Sequence, residues 1–325
     1  CPGPVGVDIK CSMSLIQFDL PEDFINEKRI RRELITAITE RIPTGVGTGQ
    51  RSVKKSRRIS TELAVQAVVE GASVSVCQKI GIPVHWAQRC EDPSHRSHDG
   101  TIEGLKKRLD FLRHEVFENL DEKLDQLGSY GGGNHFGECE VIKLAGLEKD
   151  RKTAKVFGLK DSAVAFFSHC GSRGFGNILA TNQFKLFQHS FTKHRIPFPA
   201  NDRHLVYAPL GSSEADDYLD DMALAANFAT VNHLLINALV LEAFQEVVPG
   251  VQGELVYLIS HNIARKEMLG NREVWVHRKG ATRAYPAHHP ALSNTPFFKF
   301  GHPVLLPGDP ISGSVVMVAD AGAEK

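Results

Sequence analysis

An α+β fold is predicted by three observations. Stretches with a helical apolar stripe stand apart from short strand-like runs, several of those runs carry polar residues at their ends, and neither a repeat of fixed period nor a low-complexity linker divides the chain. A chain of 325 residues buries a large core, and one domain spanning residues 1–325, with several strands presenting polar residues toward a cleft, is the expected organisation.

From Pro21 to Arg41, apolar residues at Phe24, Ile30, Leu34, Ile35 and Ile38 mark a helix with a basic outer face. The next stretch, IPTGVGTGQRSVKKSRRIST, mixes glycine, serine and cations and reads as an exposed loop, its charges either solvated or in contact with phosphate. STELAVQAVVEGA opens on Ser60 as an N-cap with Glu62 in the first turn. The stretch from Gly100 to Gly133 reads as one helix or two, ending at the glycines, and FGECEVIKLAG and SAVAFFSHCGS read as strands. Ser213 to Val248 carries the longest helical pattern, acidic in its first turns as the helix dipole favours, and long enough that a break is an option. After it GELVYLISHN, REVWVHRKG, HPVLLPG and SGSVVMVAD alternate strand-like runs with turns.

Lys+Arg and Asp+Glu both number 38, so no global basic field marks a nucleic-acid binder, although a local basic groove is compatible with that balance. Cys1, Cys11, Cys77, Cys90, Cys139 and Cys170 form no close-set framework, which favours reduced thiols and a cytoplasmic setting. No apolar run approaches the roughly 18–20 residues of a membrane span, and no membrane partner is expected. The chain begins at Cys1 without an initiator methionine and stops after a strand-like run, so truncation at both ends is the expectation.

The chemistry concentrates at strand ends. SYGGGNHFGECE crowds three consecutive glycines against Asn134 and His135, more backbone freedom than a plain turn needs. Asp8 and Cys11 lie in VGVDIKCSMSLI, His169 in AFFSHCGSRGFGN and His261 in LVYLISHNIAR, each beside a strand-like run. Taken singly, a strand-terminal histidine is more often structural. Together, one carboxylate, one thiol and three imidazoles suit a borderline divalent ion such as manganese, zinc or cobalt. Five ligands exceed what one catalytic ion with open positions takes, which makes two ions sharing Cys11 a fair hypothesis. Cys77, Cys90, Cys139 and Cys170 read as packing or bystander thiols. Phosphate is suggested by Arg173 and two glycines ahead of a helical stretch, by His277, Arg278, Lys279 and Arg283 around a glycine, and by the turn in LLPGDPISGS.

In this order, VGVDIKCSMSL, GGGNHFGE, SHCGSRGFGN, SHNIA, VHRKGATRAYP and PVLLPGDPISGS resemble the motifs of the RtcB family of RNA-splicing ligases, over nearly the whole chain. The resemblance implies a ligase that uses GTP as co-substrate and two manganese ions to join an RNA 3′-phosphate or 2′,3′-cyclic phosphate end to a 5′-hydroxyl end. It implies Asp8, Cys11, His135, His169 and His261 as metal ligands, with Cys11 bridging. It assigns GTP to Asn134, His135, Phe136, Gly137, Glu138, His261, Asn262, Pro307, Gly308, Asp309, Pro310 and Ser314, and an RNA phosphate to Arg173. The sequence names no accessory activating protein but leaves room for one.

Departures accompany the match. Family members hold GMP covalently on a histidine in a His-Gly-Ala-Gly-Arg stretch, and none occurs in these residues, so the chain is expected to lack its nucleophile. Lys10 and Ser12 replace the small or Asn residue and the Gly common there, and Asp309-Pro310 replaces a Ser-Met-like pair. Two other readings use the same residues: a metal-dependent phosphohydrolase needing no histidine nucleophile, and a catalytically silent nucleotide- or RNA-binding scaffold.

Overall fold

The computed structural model describes residues 1–309 and 311–320. Four strands, β1 (Ser12–Pro21), β2 (Phe136–Val141), β3 (Ala163–Cys170) and β4 (Gly253–Ser260), form one sheet in the order β2-β3-β1-β4, with every neighbouring pair antiparallel. Ser12 stands opposite both Cys170 and Ser260, and Phe136 stands opposite His169. Because antiparallel neighbours run in opposite directions, the starts of β1 and β2 meet the finishes of β3 and β4 at one end of the sheet. Alternation of side chains along β1 sends Ile16 and Phe18 into the larger apolar core, and Met13 and Leu15 into a second core on the other face.

Helices pack on both faces, most of them on the first. In chain order they are α1 (Asp23–Asn26), α2 (Lys28–Thr39), α3 (Thr61–Glu70), α4 (Val74–Ile80), α5 (Ile102–Glu115), α6 (Leu120–Leu124), α7 (Glu148–Phe157), α8 (Arg173–Lys193) and α9 (Ser213–Val247). Ser60 caps α3 as its sequence predicts, its Oγ accepting from Leu63 N at 3.3 Å. The Gly100–Gly133 stretch resolves into two helices, α5 and α6. Helices α2, α3, α5 and α8 pack around α9, which lies against β1 through the stacked rings of Phe18 and Phe244, 3.8 Å between centroids.

Helix α9 runs its full 35 residues without the break its length allowed. Buried residues occupy every side of it, so packing on all faces supports each turn. By length and composition α9 is also apolar enough to cross a membrane, which corrects the expectation that no stretch approaches such a span. Asn227, Thr230, Asn232, His233 and Asn237 hide this by interrupting the apolar run. The helix's most apolar window is 94% buried within the protein.

The second face is covered by α7 and by the hairpin of β7 (Val304–Leu306) and β8 (Val315–Met317), with Phe157, Phe297 and Leu305 against Met13, Leu15 and Phe167. A further hairpin joins β5 (Asn262–Leu269) to β6 (Arg272–Lys279). Strand β5 is not visible as a strand in the sequence, because its cations and acids, NIARKEML, break the apolar alternation and face ion partners instead. The cations of the 42–61 loop are mostly paired: Arg51 with Asp125, Lys54 with Glu40, Lys55 with Glu246 and Arg57 with Glu242.

Phe244→Ala removes one of the two stacked rings between α9 and β1, and is expected to lower unfolding free energy by about 3–5 kcal/mol in urea titration. A loss below about 1 kcal/mol would show that the sheet does not lean on that contact.

Candidate metal centre

The five ligand types meet at one end of the sheet. Asp8 and Cys11 lie just before β1, His135 just before β2, His169 at the penultimate position of β3, and His261 directly after β4. Cys11 Sγ is 2.9 Å from His169 Nε2 and 3.6 Å from His135 Nε2. His135 Nε2 is 2.9 Å from Asp8 Oδ2, and His169 Nε2 is 3.2 Å from His261 Nε2. The ligand atoms fall into two overlapping groups, Cys11–His169–His261 and Asp8–Cys11–His135, each within 4.8 Å, and Cys11 belongs to both.

Backbone groups aim these side chains. His135 Nδ1 donates to the Tyr130 carbonyl at 2.8 Å and His169 Nδ1 to the Asn134 carbonyl at 3.0 Å. A carbonyl only accepts, so both Nδ1 atoms carry hydrogen and both Nε2 atoms face the cluster. The Ser172 N–H at the start of α8 donates to Asp8 Oδ1 at 3.1 Å. A Cβ on Gly171 would stand 2.3 Å from that oxygen, so any side chain there would displace the Asp8 carboxylate.

Burial lowers the basicity of His169 and His261, the latter to about 4, and both imidazoles are neutral at pH 7 with lone pairs to offer. Burial opposes charge on His135 as well, but the Asp8 carboxylate outweighs it and raises the His135 pKa. Burial likewise pushes Asp8 up, and its hydrogen bond and charge interaction with His135 bring it below the ordinary carboxylate range. Burial first, and Asp8 second, push the Cys11 thiol well above its usual value. Converging donors that share only protons match the needs of a divalent cation, which would replace the proton between His135 and Asp8 and favour the thiolate.

The long helix supplies the anchors, a role its sequence did not announce. Asn232 of α9 accepts from Gly128 N at 2.7 Å and Ser129 N at 3.1 Å, and donates to Gly171 O at 3.1 Å. His233 hydrogen-bonds Ser12 Oγ through Nδ1 and Ser14 Oγ through Nε2, both at 2.8 Å. Ser12, a departure from the family's glycine, therefore has a partner in this protein. The only sequence signal was polar residues set midway along an apolar helix.

The remaining predicted residues are dispersed. Phe136 packs against the His169 ring at 5.8 Å, and Asn134 contributes its carbonyl to the same histidine. His135, Phe136 and Gly137 border an apolar cavity of about 400 Å³ floored by Tyr130, Phe166 and Phe244. Glu138 is half-buried, its pKa raised by burial and by Glu140. Asn262 is committed to structure, donating to Asp8 O at 3.2 Å and accepting from Gly280 N at 2.8 Å. In the late turn, Pro307 follows β7, Gly308 N donates to Ser314 Oγ at 3.3 Å, and Asp309 caps Ile311 N and Ser312 N at 2.8 and 3.0 Å. Pro310 lies outside the described residues. Ser314 borders a separate cleft of about 540 Å³ with Glu140 and Phe167.

Arg173 has a left-handed backbone and donates to Ser129 Oγ at 3.0 Å and Thr48 O at 3.0 Å. Its guanidinium occupies the space beside Gly131, where a Cβ would come within 1.1 Å of Nη1. The first glycine of the run thus makes room for an arginine. Of the four residues grouped as a phosphate patch, Arg278 pairs with Glu267, and buried Arg283 pairs with Glu91 at 2.6 Å. These two serve internal ion pairs.

An α+β protein with two thiol-sharing ligand groups at one sheet end is the class that this geometry defines. The family model for tRNA-splicing ligase RtcB matches residues 1–325, and the chain belongs to the RtcB family. Relatives named tRNA-splicing ligase RtcB are 34% identical in Thermococcus kodakarensis, 35% in Pyrobaculum aerophilum and 33% in Archaeoglobus fulgidus, over 99%, 98% and 100% of this chain. The chain spans 63%, 62% and 63% of their respective lengths.

Cys11→Ala is expected to weaken manganese binding at both groups, by on the order of 100-fold in equilibrium dialysis, whereas Cys170→Ala leaves it unchanged. Full manganese stoichiometry in Cys11→Ala would reject the shared thiol.

Proposed function

We propose that this chain carries the metal- and nucleotide-binding core of a GTP-dependent ligase. The reaction joins an RNA 3′-phosphate or 2′,3′-cyclic phosphate end to a 5′-hydroxyl end, in the cytoplasm. The observation that carries the reading is the membership of Cys11 in both ligand groups, in a chain of this family. On this reading Asp8, Cys11 and His135 hold one manganese ion, and Cys11, His169 and His261 hold the second. Bound there, the ions neutralise phosphate charge and polarise phosphorus.

The chain's own residues orient and bind. Asn134 to Glu138 border the nucleotide, with the 307–314 turn, particularly Ser314, as the further contact. Asn262 ties the Asp8 loop to the residue after His261. An RNA-end phosphate takes the Arg173 guanidinium from the Thr48 carbonyl, exchanging a neutral acceptor for a charged one. The family's His-Gly-Ala-Gly-Arg stretch does not occur among these 325 residues. The reading therefore has residues 1–325 bind metal and GTP without forming the covalent guanylate, and leaves a place for an accessory activating protein.

Incubation with manganese and GTP labelled on the α-phosphate, followed by a denaturing gel, tests this. Residues 1–325 are compared with a version extended through a His-Gly-Ala-Gly-Arg segment. Label on the extended protein alone is the expected result. Label on residues 1–325 would place an acceptor within them. Label on neither, with manganese bound, would overturn the ligase reading and favour a metal-dependent phosphohydrolase or a silent scaffold.

A further inference from the structure

Lys10 sits between Asp8 and Cys11, and its side chain is fully buried. Its backbone φ is +54°, in the left-handed region that glycine and asparagine enter readily and lysine does not. The surrounding contacts hold it there. Lys10 N donates to Asn262 O at 2.6 Å, and His261 N donates to Cys11 O at 3.0 Å, so the ligand loop is stitched to the end of β4.

The ammonium donates to the Asp92 carbonyl and lies 3.0 Å from His95 Nε2. The Asp92 carboxylate pairs with Arg265 at 2.8 Å and with Arg283 at 3.4 Å. Arg283 in turn donates to Glu91 Oε1 at 2.6 Å. The second Glu91 oxygen accepts from Ser260 N at 3.1 Å and from Ser260 Oγ at 2.5 Å, and Ser260 directly precedes His261. His95 is itself pinned, its backbone N–H donating to Asn227 of α9 at 2.7 Å. One buried lattice therefore holds the Asp8–Cys11 loop through Lys10 and the His261 strand through Ser260.

We propose that Lys10 is a positioning residue for the metal centre: its anchored ammonium holds the left-handed turn that turns Asp8 and Cys11 toward the three histidines. The inference rests on reading the cluster as a metal centre. Replacing the lysine leaves Glu91 and Asp92 balanced by Arg265 and Arg283, so the test creates no uncompensated buried carboxylate.

Cobalt(II) titration of residues 1–325, read by thiolate-to-cobalt absorption, compares wild type with Lys10→Met and Lys10→Gly, with near-ultraviolet circular dichroism reporting the fold. Lys10→Met, which lacks the tether, is expected to bind roughly tenfold or more weakly. Lys10→Gly, which adopts the turn unaided, is expected to stay within about threefold of wild type. Wild-type affinity in Lys10→Met, or equal weakness in both variants, overturns the proposal. Should Lys10→Met not fold, His95→Leu and His95→Gln decide: the leucine variant is expected to weaken cobalt binding and the glutamine variant, which keeps an acceptor, to preserve it. Identical binding by that pair overturns the proposal. Failure of the wild type to bind cobalt is a separate result that removes the metal reading itself.

Discussion

The antiparallel register of the four-stranded sheet is the constraint on which the site depends. With β1 between β3 and β4, and β2 outside β3, two strands must start where two others finish. A ligand placed at the start of β1 or β2, or at the finish of β3 or β4, arrives at the same place. Segments as far apart in sequence as those of Cys11 and His261 thus converge without any compact sequence motif. A slip of one residue in any pairing would turn that strand's side chains to the opposite face and take its ligand out of the cluster.

Register sets the positions, and buried polar contacts set the directions. Carbonyls of Tyr130 and Asn134 fix which nitrogen of His135 and His169 faces inward, while the start of α8 holds Asp8. Behind them, Asn232 of α9 holds the Gly128–Ser129 turn and His233 the start of β1, while Asn227 holds the His95 segment. Such groups are costly to bury unpaired, so their mutual satisfaction favours one arrangement over nearby alternatives. The resulting donor set is neutral or proton-sharing at pH 7, a state that a divalent cation can enter by displacing protons.

Much of this was legible in the residues. Ligand-type side chains recurring at strand ends identified all five members of the cluster, and the glycine run pointed to crowding nearby. Distances were not legible, because the sheet order that joins these segments leaves no local trace. The glycine run signalled crowding without naming what fills the space, which at Gly131 is Arg173. Arg283 looked like a phosphate contact because its acidic partners, Glu91 and Asp92, lie almost 200 residues earlier. Lys10 looked like mere divergence for the same reason: its partners at Asp92 and His95 are visible only in three dimensions.

The membership of Cys11 in both ligand groups implies a pair of metal positions joined through one thiol. Electron paramagnetic resonance of the protein loaded with two equivalents of manganese(II) tests it most directly. A spin-coupled spectrum that gives way to an isolated six-line signal at one equivalent is the predicted result. Two additive, uncoupled six-line signals at full loading would contradict it.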